Sequence, residues 1–186
     1  MRRRARWLAM VGMLALASAL MIGQAVGDVR VAEHQFQIDE PASSDGWREL
    51  PASERGDAAD VLIVAGYHHA GSGAVLAITR MAIANPRAWD DDDDDFFAEV
   101  EAGIESTSAR YQRFHRRQQR VNKVPALDLG FRRDSERGRE VVLMRFLFFR
   151  RYTLALALRV PAPAHRRHER AFRALLESFA PYLGPP

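Results

Sequence analysis

Residues 141–160 read Val-Val-Leu-Met-Arg-Phe-Leu-Phe-Phe-Arg-Arg-Tyr-Thr-Leu-Ala-Leu-Ala-Leu-Arg-Val. Two apolar runs of strand length are parted by Arg150 and Arg151, and in the second Leu154, Leu156, Leu158 and Val160 recur at every other position. Period two is the signature of a strand, so the stretch predicts the central hairpin of a sheet. Downstream, Pro161 and Pro163 stop the second strand. A terminal amphipathic helix is expected next, with Ala171, Phe172, Leu175, Leu176 and Phe179 on one side, closed by Pro181 and a final Gly-Pro-Pro.

Upstream of the hairpin, residues 132–139 read as a charged loop with Gly138 as its turn residue. Before that, Leu127, Leu129 and Phe131 alternate with polar or small residues after a boundary at Val124-Pro125-Ala126. The preceding segment has helical spacing, with Phe97, Val100, Ile104, Thr107, Tyr111 and Phe114 at steps of three and four. Gly103 weakens this helix without breaking it. Aspartates at 90–95 sit at its start, and Arg110, Arg113, Arg116 and Arg117 lie near its far end, the order that the helix dipole favours. Beyond Ala109 two readings stay open, a longer helix or the start of a polar edge strand. Nearer the N-terminus, 61–68 is apolar on both faces and predicts a central strand. Gly71-Ser72-Gly73 turns it into a second strand from Ala74 to about Ile83, and Asn85-Pro86 ends the pair. Phe36 and Ile38, flanked by Gln35 and Gln37, read as a short first strand before Pro41 and Trp47. Six or seven strands and two substantial helices make an α+β class, an antiparallel β-sheet flanked by helices.

The chain has 186 residues, no cysteine and a formal charge of +3. One domain fits that length, and the missing cysteines exclude disulfides, Cys-ligated metals and thiol nucleophiles. Arg2, Arg3, Arg4 and Arg6 precede an uncharged apolar run at 7–27, the order of an export signal, with Ala25 and Gly27 as small residues before a cut that leaves Asp28 first. Residues 1–27 are therefore read as a signal peptide, with an uncleaved membrane anchor as the alternative, and 28–186 as a single domain. Either way the domain is exported: periplasmic, or membrane-anchored and facing the periplasm. Contact with a membrane is expected only through an uncleaved leader. Without the leader the net charge falls to −1, which removes the basic balance that invites a nucleic-acid reading. Residues 28–105 carry a net −13 and 106–186 a net +12, so the halves are expected to pair partly with each other.

Several features in chain order carry a family resemblance: Phe36 and Ile38, then Pro41 and Gly46-Trp47, two strands, a long helix, Val124-Pro125-Ala126, a hairpin around Tyr152, and Leu175-Leu176-Glu177-Ser178-Phe179. This order resembles the PsbP-like superfamily, the photosystem II extrinsic protein PsbP and related bacterial periplasmic proteins. Lys123 stands where the family's turn before Pro-Ala has glycine, and the lipid-bearing cysteine of many bacterial members is absent. The resemblance implies an α/β/α-type sandwich and a non-catalytic accessory or binding role.

Candidate chemistry is sparse, and no motif calls for a cofactor. His68 and His69 precede Gly71-Ser72-Gly73, an arrangement that suggests a hydrolase or small-ligand binder using the 68–72 turn. It lacks the Gly-x-Ser-x-Gly order, and neighbouring histidines on a strand face opposite ways, so turn chemistry is the preferred reading. His165 and His168 have i, i+3 spacing for a shared metal, but Arg166, Arg167 and Arg170 beside them favour a solvated helix start. The acidic run lacks the spaced ligands of a calcium loop and reads as a helix cap or a weak counterion site. Arg110, Arg113, Arg116, Arg117 and Arg120, with Tyr111 and Phe114 among them and no acid between Ser106 and Leu127, form the one basic patch with aromatic company. They are the candidate partner-binding residues, for an envelope protein or for an anionic surface such as lipid headgroups or a polysaccharide.

Overall fold

The structure is a computed structural model that describes residues 30–31, 36–37, 41, 45–51, 57–58, 61–90, 94–178 and 180–181. The leader at 1–27 with its cut before Asp28, Gln35 and Ile38, the aspartates at 91–93, Phe179 and the closing Gly-Pro-Pro lie outside the described residues. In chain order the elements are β1 (Arg30–Val31), β2 (Phe36–Gln37), β3 (Trp47–Glu49), β4 (Asp57–Ala58), β5 (Val61–His69), β6 (Ala74–Met81), α1 (Asp94–Ser106), β7 (Gln112–Val121), β8 (Val124–Ser135), β9 (Gly138–Phe148), β10 (Thr153–Pro161), α2 (His165–Ser178) and β11 (Ala180–Pro181).

The main sheet runs β3-β5-β6-β10-β9-β8-β7, antiparallel at every step, with β4 also beside β5. The hairpin expected over 141–160 is β9 and β10, and it occupies the middle of the sheet. A second, small sheet of order β1-β2-β11 joins the two ends of the described chain.

Period two in β9 and β10 sorts their side chains into two layers. Leu154, Leu156, Leu158 and Val160 face the side that Phe172 and Leu175 of α2 cover, together with Tyr67, Leu76 and Trp47. Ala155 and Ala157 face the other side, where Val142, Met144, Phe146 and Phe148 meet Phe97, Val100 and Ile104 of α1. The small alanines leave room for large aromatics alongside. Phe148 packs edge-to-face on Phe96 and Phe97 at centroid distances of 5.2 and 5.5 Å. A helix on each face of one antiparallel sheet is the α/β/α arrangement that the resemblance implies.

The structure corrects several local expectations. The helix stops at Ser106 and has no basic residue in its last turn, so the dipole pairing expected at its far end does not occur. Ser106 Oγ donates to Gly103 O at 2.8 Å and Thr107 Oγ1 to Ile104 O at 3.1 Å, satisfying carbonyls that another helical turn would otherwise use. The chain then turns at Arg110, whose φ is +51°, and Tyr111 and Phe114 leave the helical series to flank and enter β7. Of the two readings beyond Ala109, the edge strand is correct.

Val124-Pro125-Ala126 is not a boundary but the first part of β8. The turn is Asn122-Lys123, both at positive φ (+48° and +71°). Two consecutive left-handed residues match the twist of the hairpin they join. Residues 132–139 are hairpin ends rather than a loop: β8 runs through Ser135 and β9 starts at Gly138, whose φ of +103° only glycine adopts easily. The strand after Gly73 ends at Met81, and Ala171 is exposed rather than on the apolar side of α2.

Candidate functional site

β7 is the outer strand of the sheet, and residues 112–117 are exposed without interruption. Its register with β8 fixes which way each side chain points. Arg113, Arg116, Gln118 and Arg120 lie opposite Phe131, Leu129, Leu127 and Pro125, on the α1 side. His115, Arg117 and Gln119 lie opposite Gly130, Asp128 and Ala126, on the α2 side. A bulge between Arg113 and His115 lets Phe114 swing over Gly130, where a Cβ would stand 2.7 Å from its ring. Phe114 remains 42% exposed, the exposed large hydrophobic residue among the described ones, with the Arg132 guanidinium 4.9 Å from its ring centre.

The five nominated arginines thus share one strand and its lead-in turn, but they do not act alike. Arg113 Nη1 and Arg116 Nε contact the two carboxylate oxygens of Glu101 at 2.5 and 3.0 Å. Tyr111 Oη donates to the same carboxylate at 3.1 Å, and burial together with the Glu101 charge pushes its phenol well above the usual range. Glu101 also holds the Arg113 guanidinium's proton more firmly than usual, through its hydrogen bond first. Glu101 itself is buried on α1 and clamps the N-terminal half of β7 to that helix. This pairing across the acidic and basic halves is the one their opposite charges lead one to expect. Arg110 pairs with Asp134 at 3.2 Å on the surface. Arg120 Nη1 donates to Lys123 O at 3.2 Å, across the Asn122-Lys123 turn. Arg117 projects from the α2 side of the strand and is exposed.

The sequence reading missed a buried ion pair beneath this strand. Arg145, the single charge inside the first apolar run, places Nε and Nη2 on the two oxygens of Asp128, each at 2.7 Å, and Nη1 on Leu176 O at 3.1 Å. Gln119 Nε2 donates to Asp128 Oδ2 at 2.7 Å. One guanidinium therefore links β9, β8 and the C-terminal turn of α2, while Gln119 ties in β7. A lone Arg at the centre of an otherwise apolar strand, which needs a buried counter-charge, is the sequence signal of such a pair.

His69, Ser72, His168 and Trp47 form the second cluster. His69 and His168 are each 3% exposed, with ring centroids 4.6 Å apart, and both rings meet Trp47 edge-on at 5.4 and 5.3 Å. His69 Nε2 lies 2.8 Å from Asp45 O, so it carries the proton and leaves Nδ1 as an acceptor. Ser72 Oγ donates to that Nδ1 at 3.0 Å, and His168 Nε2 donates to Ser72 Oγ at 2.8 Å. Burial, then the neighbouring His69 and Arg167, holds the His168 imidazole below its ordinary pKa.

The network joins the β5–β6 turn to α2 using His69 and His168. His68, on the opposite face of β5, takes no part. His168 is also no solvated residue at a helix start, and it shares no ligand with His165, whose Nε2 lies 3.6 Å from Glu169. Among the described residues no group of three or more His, Cys, Asp or Glu could hold a metal. The serine sits poorly for nucleophilic attack. The Ser72 and Gly73 amides are both directed at His69 O, at 3.3 and 2.9 Å, and the Ala74 amide at Ser72 Oγ itself. These backbone donors of the turn are spent where an oxyanion would need them.

No family model matches the chain. No curated protein matches it either. Solved structures do. LpqN of Mycobacterium tuberculosis, involved in cell envelope biogenesis, superposes with a TM-score of 0.55 at 14% identity over 81% of this chain and 86% of that one. Cyanobacterial PsbP (CyanoP) from Synechocystis sp. PCC 6803 gives 0.53 at 12% identity over 86% and 98%. The Saccharomyces cerevisiae Ran-binding protein Mog1p gives 0.51 at 9% identity over 86% and 97%. At such identities the likeness is one of fold. Together with the antiparallel sheet that carries a helix on each face, it gives this chain the PsbP-like α+β fold.

Proposed function

We propose that the protein is an exported, non-enzymatic accessory protein of the cell envelope, periplasmic or facing the periplasm, that binds another envelope component through β7. The observation that carries this reading is the strand itself, six consecutive exposed residues with Arg117 and Phe114 turned to solvent at the sheet's edge. Ordinary edge strands are short or covered, and a long open one rich in cations suits an anionic partner surface. The charged leader of the sequence supports export. The spent amides around Ser72 speak against the alternative in which the 68–72 turn hydrolyses or binds a small ligand. Two structural neighbours are described as an envelope-biogenesis protein and a Ran-binding protein, roles compatible with binding rather than catalysis.

The test is site-specific photocrosslinking in intact expressing cells. A photoreactive residue replacing Arg117 should yield a discrete crosslinked species. One replacing Arg151, at the exposed turn between β9 and β10, should not. Equal crosslinking from both positions, or from neither, removes β7 as the partner face. Adsorption to phosphatidylglycerol vesicles that disappears when Arg110, Arg113, Arg116, Arg117 and Arg120 are all replaced would instead favour the anionic-surface reading.

A further inference from the structure

We propose that β7 receives an acidic, extended segment of the partner as an added strand, hydrogen-bonded to its open edge. This rests on the reading of β7 as the partner face and specifies how that face binds. The two ends of the sheet differ in the way that matters for strand addition. At one end β5 is flanked by β3 and β4, three and two residues long. At the other, β7 has ten residues and, among the described residues, β8 as its strand neighbour. An edge of that length presents a row of backbone N–H and C=O groups without strand partners. The bulge disturbs it only near Phe114, and from His115 to Val121 the register with β8 is regular.

Charge selects the occupant. A second copy pairing antiparallel through β7 would set arginines against arginines, and like charges directly opposite each other are destabilising. A neutral strand would gain backbone hydrogen bonds but would crowd the hydration of exposed Arg117. A carboxylate of an incoming strand meets Arg117, flanked by His115 and Gln119 on the face turned away from Glu101, at the spacing cross-strand neighbours have. Backbone pairing then supplies affinity and the alternating side chains supply selectivity. Phe114, over Gly130 at the bulged end, offers an apolar contact where regular pairing stops.

The test uses the protein recovered from expressing cells and a fluorescein-labelled decapeptide of alternating glutamate and valine, followed by fluorescence anisotropy. Three comparison probes are the same peptide N-methylated at every second residue, its lysine-for-glutamate counterpart, and phosphatidylglycerol vesicles. Strand addition predicts saturable binding of the acidic peptide. It also predicts at least tenfold weaker binding after N-methylation, no binding of the lysine peptide, and slowed amide exchange across 112–121. R117E, with an unchanged circular dichroism spectrum, should weaken the acidic peptide at least tenfold. Equal binding of the N-methylated peptide, or no peptide binding at millimolar concentration while vesicles bind, overturns the proposal. Either result leaves the Arg117 crosslinking outcome standing, so failure of the binding mode is distinguishable from failure of the binding face.

Discussion

Replacing Asp128 with Asn removes one charge from the buried pair with Arg145 while keeping the shape of the side chain. Both side chains are 12% exposed, so solvent screens the pair little. In D128N the guanidinium keeps its bond to Leu176 O but loses the carboxylate that holds its other edge. Stranding one member of a buried pair costs about 3–5 kcal/mol. For a domain of this size that corresponds to a fall in melting temperature of roughly 6–20 °C, taking about 2–4 °C per kcal/mol. Arg145→Met leaves Asp128 with Gln119 as a donor and should cost a similar amount, and it also frees the α2 carbonyl.

The informative variant is the double one, Asp128→Leu with Arg145→Met. Apolar replacement of both partners is expected to recover most of the loss, because desolvation of two charges opposes their attraction. Urea denaturation of the unmodified protein, Asp128→Leu, Arg145→Met and the double variant closes the cycle, and a coupling of at least about 2 kcal/mol is expected. Single losses below about 1 kcal/mol with no coupling would refute the reasoning, since the pair would then behave as a screened surface contact.

Acid should loosen the His69–Ser72–His168 clasp. The His168 pKa is held below its ordinary value of about 6.5, so between the folded and unfolded pKa values the unfolded chain binds more protons. Stability from this residue is therefore full above about pH 6.5 and declines as pH falls below it. His168→Gln should flatten that slope in denaturation curves measured from pH 7.5 to 5. Lys123→Gly should raise stability by about 0.5–1 kcal/mol, because glycine tolerates the +71° φ that a lysine adopts under strain; an unchanged or lower urea midpoint would contradict the turn geometry. Glu101→Gln removes the carboxylate shared by Arg113, Arg116 and Tyr111, and should lower the Tyr111 pKa, measurable by ultraviolet titration, as well as speed amide exchange in β7. Phe146→Ala, at a fully buried ring, should cost about 3–5 kcal/mol.

What could be read from sequence followed from periodicity. Leu154, Leu156 and Leu158 declare a strand because alternation survives whatever packs against it, and Phe97, Val100 and Ile104 declare a helix for the same reason. The segment after Ala109 was ambiguous because its spacing continues the helical series, while its end is decided by hydroxyl bonds from Ser106 and Thr107 and by the left-handed Arg110. Long-range polar partners leave no local trace. Ser72 and His168 are 96 residues apart, and nothing near either predicts that they share a proton.

The same limit bears on charge. The acidic and basic halves announce an imbalance, yet only the sheet register shows how it is resolved. Glu101 pairs with both Arg113 and Arg116 on the α1 side of β7, whereas Arg117 projects from the opposite side. Alternation in an edge strand thus divides one basic patch into an internally paired face, which anchors the strand to α1, and an outward face available to a partner. A rigidly held edge loses less conformational entropy when another chain adds to it. The intramolecular pairing and the proposed binding are therefore complementary, because they use different arginines of one strand.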